Sequence, residues 1–190
     1  MTGQPLARMS VEEYLAFERS SEEKHEYLGG EIFAMGGAGR RHGLIVGNAF
    51  SALQWQLRGR PCEAFVADMR VGIEASGLFT YPDVVVAYGE PHFLDADLDT
   101  LTNPTLILEV LSPSTADYDR GAKFGHYRTL PSLQEYLVLA QDRVFAEHRL
   151  RQGDGSWHFT DATDLAATLE LPSIACRLAL SDVYERVFAL

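Results

Sequence analysis

The chain has 190 residues, 46% of them hydrophobic and 23% charged. That suits one domain with a sizeable core and is too short for two comfortable ones. A formal net charge of −11 and a pI near 4.9 argue against a protein whose main task is coating nucleic acid. No apolar run approaches the ~20 residues that span a bilayer, and the opening MTGQPLARMSVEEY lacks the charged-then-apolar plan of a signal peptide. Cys62 and Cys176 lie far apart and form no metal-spaced pair. They read as small buried hydrophobes of a reducing, cytoplasmic protein.

Ser10 to Glu13 fits a capping box that opens a short helix ending near Arg19. HEYLGGEIFAM reads as two short strands around Gly29-Gly30. A helix from about Arg41 to Arg58 follows, with Val46, Phe50, Leu53 and Leu57 as its buried stripe and His42 one turn earlier on it. Four arginines (Arg40, Arg41, Arg58, Arg60) give this stretch a local basic character. CEAFVADMRVGIEA predicts one or two strands with a turn at Ala75-Ser76-Gly77, and YPDVVVAY a strand entered through proline. GEPHFLDADLDTLTN reads as an acidic, solvated loop, and PTLILEVL as a buried strand. SPSTADYDRGAKFGHYRTL restarts a helix capped by Thr115 or Asp117. LQEYLVLA, RVFAEHRL and SWHFTDA predict three more strands, and LSDVYERVFAL a closing helix. The expectation is a single α/β domain over 1–190 with a central mixed β-sheet.

Glu109 raises the chemical question. Leu106, Ile107, Leu108, Val110 and Leu111 surround it without polar alternation, as in a strand buried on both faces. An isolated carboxylate there costs several kcal/mol or more unless protonated, paired or metal-bound. Asp83, leading into Val84-Val85-Val86, poses the same problem. On neighbouring strands, roughly 4.8 Å apart, the two would share a face and repel unless a cation lay between them. Hard oxygen ligands on a partly open site suit Mg²⁺ or Mn²⁺. Each acid alone could instead pair with an arginine at a strand end. Lys123 is the next candidate, one of only two lysines with Lys24. Arg120, Lys123 and Tyr127 share a face at helical spacing, and a lysine there would orient or deprotonate a water or neutralise a phosphate.

YPDVVV, LILEVLSPST, DRGAKFGHYR and LQEYLVL resemble the Uma-type restriction endonuclease family, a bacterial group within the PD-(D/E)xK nuclease superfamily. HEYLGGEIFAM and RHGLIVGNAFSALQWQL resemble its hairpin and its His-led helix. The resemblance runs from about Ser10 to Ala140 and more weakly beyond. It implies a restriction endonuclease-like fold with helices flanking the sheet. It implies metal acids at Asp83 and Glu109, the Val110 carbonyl as a further ligand, a nearby glutamate at Glu31 and a helix-start histidine at His42. The superfamily's lysine position, two residues after the second acid, is here Leu111, so the resemblance implies that Lys123 takes that role. The expected activity is Mg²⁺- or Mn²⁺-dependent endonuclease hydrolysis of nucleic acid, DNA foremost, with a homodimer allowing symmetric cuts. A non-catalytic nucleic-acid-binding or regulatory module on the same fold is the alternative, and a hydrolase of small phosphates a third reading.

Overall fold

The computed structural model describes residues 8–113 and 115–188. The start of the N-terminal stretch, and Ser114 within the SPST motif, lie outside them. Ser10 caps α1 (Val11–Ser20) reciprocally: its Oγ accepts from the Glu13 N–H, and the Glu13 carboxylate accepts from the Ser10 N–H. β1 (His25–Leu28) and β2 (Glu31–Ala34) turn at Gly29 and Gly30, both at positive φ, a backbone that glycine adopts without a Cβ clash. The long helix α2 (Arg40–Leu57) buries Val46, Leu53 and Leu57 together with Ile45 and Ala49; Phe50 is half-buried.

The strands form two main sheets. β3 (Cys62–Val66), β6 (Val84–Tyr88), β8 (Leu106–Leu111), β9 (Glu135–Ala140), β10 (Ala146–Arg151) and β11 (Trp157–Ala162) make a six-stranded sheet in the order β11-β10-β9-β8-β6-β3. Only β8 and β9 pair in parallel, so the sheet is mixed, as expected. β4 (Arg70–Ile73), β5 (Leu78–Thr80) and β7 (Thr100–Leu101) join β1 and β2 in the order β2-β1-β5-β4-β7.

This arrangement explains the uninterrupted apolar run. Leu106, Leu108 and Val110 face one core with α2, while Ile107 and Leu111 face another with Val71, Ile73 and Leu78 of the smaller sheet. Each face of β8 is therefore covered, and a strand without alternation is the result. Val85 and Ala87 share the second face with Ile107. By strand parity Asp83 and Glu109 belong to that face as well.

Three segments differ from expectation. The acidic stretch read as a solvated loop contains β7, whose Thr100 and Leu101 are fully buried and pair in parallel with β4. Three of its four carboxylates are held: Asp95, Asp97 and Asp99 all pair with Arg19. β5 follows the turn at Ala75-Ser76-Gly77 and is too short for its period to be read. The hairpin of β12 (Thr168–Leu171) and β13 (Cys176–Ala179) precedes α5 (Leu180–Val183) and closes the α2 face. The helix after β8 is also irregular. α3 (Ala116–Tyr118) and α4 (Phe124–Tyr127) are joined by a π turn, Asp119–Lys123.

Candidate active site

The β6–β8 register brings the two suspect acids together. Val84 lies opposite Leu108 and Val85 opposite Ile107, so the antiparallel register carries Asp83 toward Glu109. The Asp83 Oδ2 accepts the Val110 backbone N–H at 2.7 Å. It also lies 3.2 Å from Nε2 of His42 in the first turn of α2. Asp83, Glu109, Val110, His42 and Lys123 line a single cleft of about 830 Å³ between the sheets.

The π turn aims Lys123 into this cleft. Its Nζ lies 2.8 Å from Glu109 Oε1, 3.3 Å from Glu26 Oε1 and 3.6 Å from Asp119 Oδ1. The Tyr127 hydroxyl donates to the same Glu109 Oε1 at 2.8 Å. Lys123 and Tyr127 thus act on one face, as their spacing predicted. Arg120 leaves that face: its guanidinium stacks over Phe145, because the wider π turn rotates it away from Lys123. Single π turns recur at functional sites for this reason.

Burial raises the Glu109 carboxyl to about 8, with Asp119 and Asp83 reinforcing the shift and Lys123 opposing it. Burial works against the Lys123 ammonium, yet Glu109, Tyr127, Glu26 and Asp119 together hold its pKa well above the usual value. The two directions hold together because the cluster is short of cations. One ammonium faces the carboxylates of Glu109, Glu26 and Asp119, so it stays charged while Glu109 is pushed up. Asp119 is raised as well, first by burial. Burial would lower the His42 imidazole, but its bond to Asp83 outweighs this and raises it. His42 Nδ1 and the Tyr118 hydroxyl, both in residues lining the cleft, are buried without a hydrogen-bond partner. A polar atom in that state costs roughly 1–3 kcal/mol unless something binds it.

Glu31 is not brought to the cleft. It pairs with Arg8 at 3.0 Å, with the arginine side chain 85% exposed. Its place along the hairpin is the cause: Glu31 shares a sheet face with Phe33 and Glu26 but lies at the turn end, opposite Leu28, whereas Glu26, opposite Phe33, lines the cleft. Glu26 was not singled out by sequence reasoning. Its signal was available, an acid within a short apolar and aromatic strand, the same anomaly that marked Glu109. The basic stretch also points elsewhere. Arg40 donates to the carbonyls of Arg186 and Val187, Arg41 stacks over Phe188, Arg58 over Trp55, and Arg60 binds the carbonyls of Ile174 and Ala175.

Among the described residues, no group of three or more His, Cys, Asp or Glu side chains is arranged to hold a metal ion. Among the acids lining the cleft are Asp83, Glu109, Glu26 and Asp119, and Val110 lines it too; Glu26 and Asp119 are taken up by Lys123. Both recorded bonds to Glu109 fall on Oε1.

The chain matches the model of the Uma2 family, described as "Putative restriction endonuclease", over residues 11–181. It belongs to this family. It is 41% identical over 162 residues to the uncharacterized protein sll1609 of Synechocystis sp. (strain ATCC 27184 / PCC 6803 / Kazusa), covering 85% of this chain and 92% of that one. A second protein of the same strain, the uncharacterized protein slr1290, is 36% identical over 183 residues, 95% of this chain and 94% of its own. A crystal structure described as a "putative nuclease belonging to DUF820" from Anabaena variabilis ATCC 29413 superposes with a TM-score of 0.75. It does so at 18% identity, over 95% of this chain and 99% of that one. At that identity the likeness establishes a shared fold. No described helix of this Uma2 protein is long and apolar enough to cross a membrane.

Proposed function

We propose that this Uma2 protein is a divalent-metal-dependent endonuclease, cytoplasmic, that hydrolyses phosphodiester bonds of nucleic acid, DNA foremost. One observation carries the reading: two carboxylates from adjacent strands and a buried lysine meet in one cleft whose negative charge exceeds its positive charge. The donor set fits Mg²⁺ or Mn²⁺. Asp83, Glu109 and the Val110 carbonyl supply hard oxygens, and Mg²⁺ takes only one or two carboxylates while keeping several waters, so a group of three acidic ligands is not required. When bound, such an ion polarises a phosphoryl oxygen and acidifies a water.

The chain's own residues do the rest. Asp83 is fixed by the Val110 N–H and by His42, which sets the direction of its second oxygen. Lys123, surrounded by carboxylates, serves as a fixed positive charge that orients the attacking water and offsets charge developing on the phosphate. Tyr127 holds Glu109 in one rotamer through its 2.8 Å bond. Glu26 and Asp119 position the ammonium. Assembly as a homodimer would set two such sites for cuts on opposite strands.

Incubation of purified protein with labelled DNA and RNA panels in Mg²⁺, Mn²⁺ or EDTA tests this. Cleavage that needs the metal and is lost in Asp83→Asn supports it; binding without cleavage in either metal overturns it. A non-catalytic binding module is the second reading. It is favoured by Leu111, which occupies the superfamily lysine position and is packed into the core. Binding without cleavage would select it.

A further inference from the structure

The nuclease reading leaves open which group meets the incoming nucleic-acid strand. A phosphodiester backbone needs a cation at the site, and this cleft has few. Among the described residues that line it, the cationic groups are Lys123, His42 and Lys24; no arginine is among them. Lys123 is 5% exposed and held by three carboxylates. His42 is engaged through Nε2 with Asp83. Lys24 differs from both: its side chain is 41% exposed. The chain contains only two lysines, and both line this cleft.

Lys24 is also held in an exchangeable way. Its Nζ donates to the Ala67 carbonyl at 3.0 Å and pairs with Asp68. The Asp68 side chain is 85% exposed, so the pair is screened by water and weak. Ala67 carries left-handed backbone, φ +57°, which costs a residue with a Cβ. Its N–H donates to the Asp83 carbonyl at 2.9 Å. The strained residue therefore ties the perch of Lys24 directly to the strand that carries Asp83. The Lys24 backbone is anchored too, its carbonyl accepting from Met35 N–H at 2.9 Å, and its ammonium lies 5.5 Å from the Tyr81 ring centre.

Resting on the nuclease reading, we propose that Lys24 is the substrate-binding cation of the cleft. Its ammonium leaves Asp68 and clamps a nucleic-acid phosphate beside the bond to be cut. Lysine suits this exchange, being a point charge on a flexible stem, whereas an arginine fork would grip Asp68 in two places.

Binding of fluorescein-labelled single-stranded DNA and RNA oligonucleotides, followed by anisotropy in EDTA across a salt series, tests the proposal without turnover. Lys24→Gln should bind about tenfold more weakly, and its slope of log affinity against log salt should fall by about 0.7. Asp68→Asn, which frees the ammonium and leaves Lys24 in place, should bind more tightly than wild type. In a cleavage assay, Lys24→Gln should raise KM and leave kcat near wild type. If wild type binds and Lys24→Gln matches it in affinity and salt slope, the clamp is overturned and the nuclease reading stands. If wild type binds no oligonucleotide at any salt, the reading itself fails and the clamp falls with it.

Discussion

Two buried polar networks lie on either side of Glu26, and they are built to opposite rules. In the smaller sheet, Arg70 is 2% exposed and binds Thr100 Oγ1, the Tyr81 hydroxyl and Asp99 Oδ1 at 2.8, 3.1 and 2.8 Å. Glu18 accepts from the His25 N–H and the Tyr81 hydroxyl and meets the His25 ring. The buried arginine and the buried glutamate share Tyr81, whose hydroxyl accepts from Arg70 and donates to Glu18, and none of these side chains has an unpartnered buried polar atom. The cleft network has one ammonium among several carboxylates and leaves His42 Nδ1 and the Tyr118 hydroxyl unpartnered. Burial is common to both, so burial does not mark function. A saturated network holds a fold together, whereas one short of cations and of partners is prepared for something to arrive.

The largest test of that contrast is chemical. Lys123→Ala should lower kcat by about 10²–10⁴-fold, the range for groups acting at a water or transition state, with little change in oligonucleotide affinity. Cleavage at the wild-type rate would place Lys123 in the same structural class as Arg70.

Next comes the reciprocal change. Arg70→Met takes the buried guanidinium away from Thr100, Tyr81 and Asp99, although Asp99 keeps Arg19, and leaving buried polar partners unmet costs about 1–3 kcal/mol. Urea unfolding should show this, while kcat measured on the folded fraction stays near wild type. An Arg70→Met protein of wild-type stability would mean that the saturated network is not what holds the small sheet.

The sequence disclosed the cleft network better than the saturated one, and the reason is physical. Glu109 and Asp83 interrupt strong apolar runs, and an interruption is visible in one dimension. Lys123 stood out because lysine is scarce in this chain. Arg70 follows Met69 in an unremarkable stretch, and its partner Asp99 lies in a segment whose acidity resembled a solvated loop. Only the parallel pairing of β7 with β4 turns that loop into structure, and a two-residue strand has no period to detect. Glu26 and Glu31 sat on the same hairpin, and the resemblance favoured Glu31. Alternation puts both on one face, since Glu26 pairs with Phe33 and Glu31 with Leu28; position along the strands decides between them, and it becomes legible only once the register and the neighbouring sheet are known.

The third test concerns the metal and is of middle size. Glu109→Gln replaces, at nearly constant volume, a carboxyl that burial already pushes toward its neutral form. Lys123 keeps Glu26 and Asp119 as partners, and the Tyr127 hydroxyl can donate to the amide oxygen. In EDTA the mutant should therefore be as stable as wild type or more so, against the usual loss of about 1 kcal/mol or more from a core substitution. Mn²⁺ or Mg²⁺ at about 100 times its Kd should add about 2.7 kcal/mol to wild type, at roughly 2–4 °C of melting temperature per kcal/mol. Glu109→Gln should respond little. Equal metal responses in the two proteins would remove Glu109 from the ligand set.

The smallest test probes the rim of the saturated network by pH. The bond from Arg19, aided by Thr100 and Arg70 and opposed by partial burial, lowers the Asp99 carboxyl to about 2. Its unfolded value is near 3.9. A carboxyl lowered by folding stabilises the native state fully above the unfolded pKa and loses that contribution as pH falls through the folded one. The window thus runs from about pH 4 down to about pH 2. Asp99 keeps 33% side-chain exposure, so solvent screening limits the contribution to about 1 kcal/mol or less. Asp99→Asn should be slightly less stable than wild type at neutral pH, and its urea midpoint should change less steeply across that window. Below about pH 2 the two curves should converge. Parallel acid limbs would show that Arg19 and Arg70 do not hold Asp99 ionised, and that the balance of this network lies with Glu18 and its partners alone.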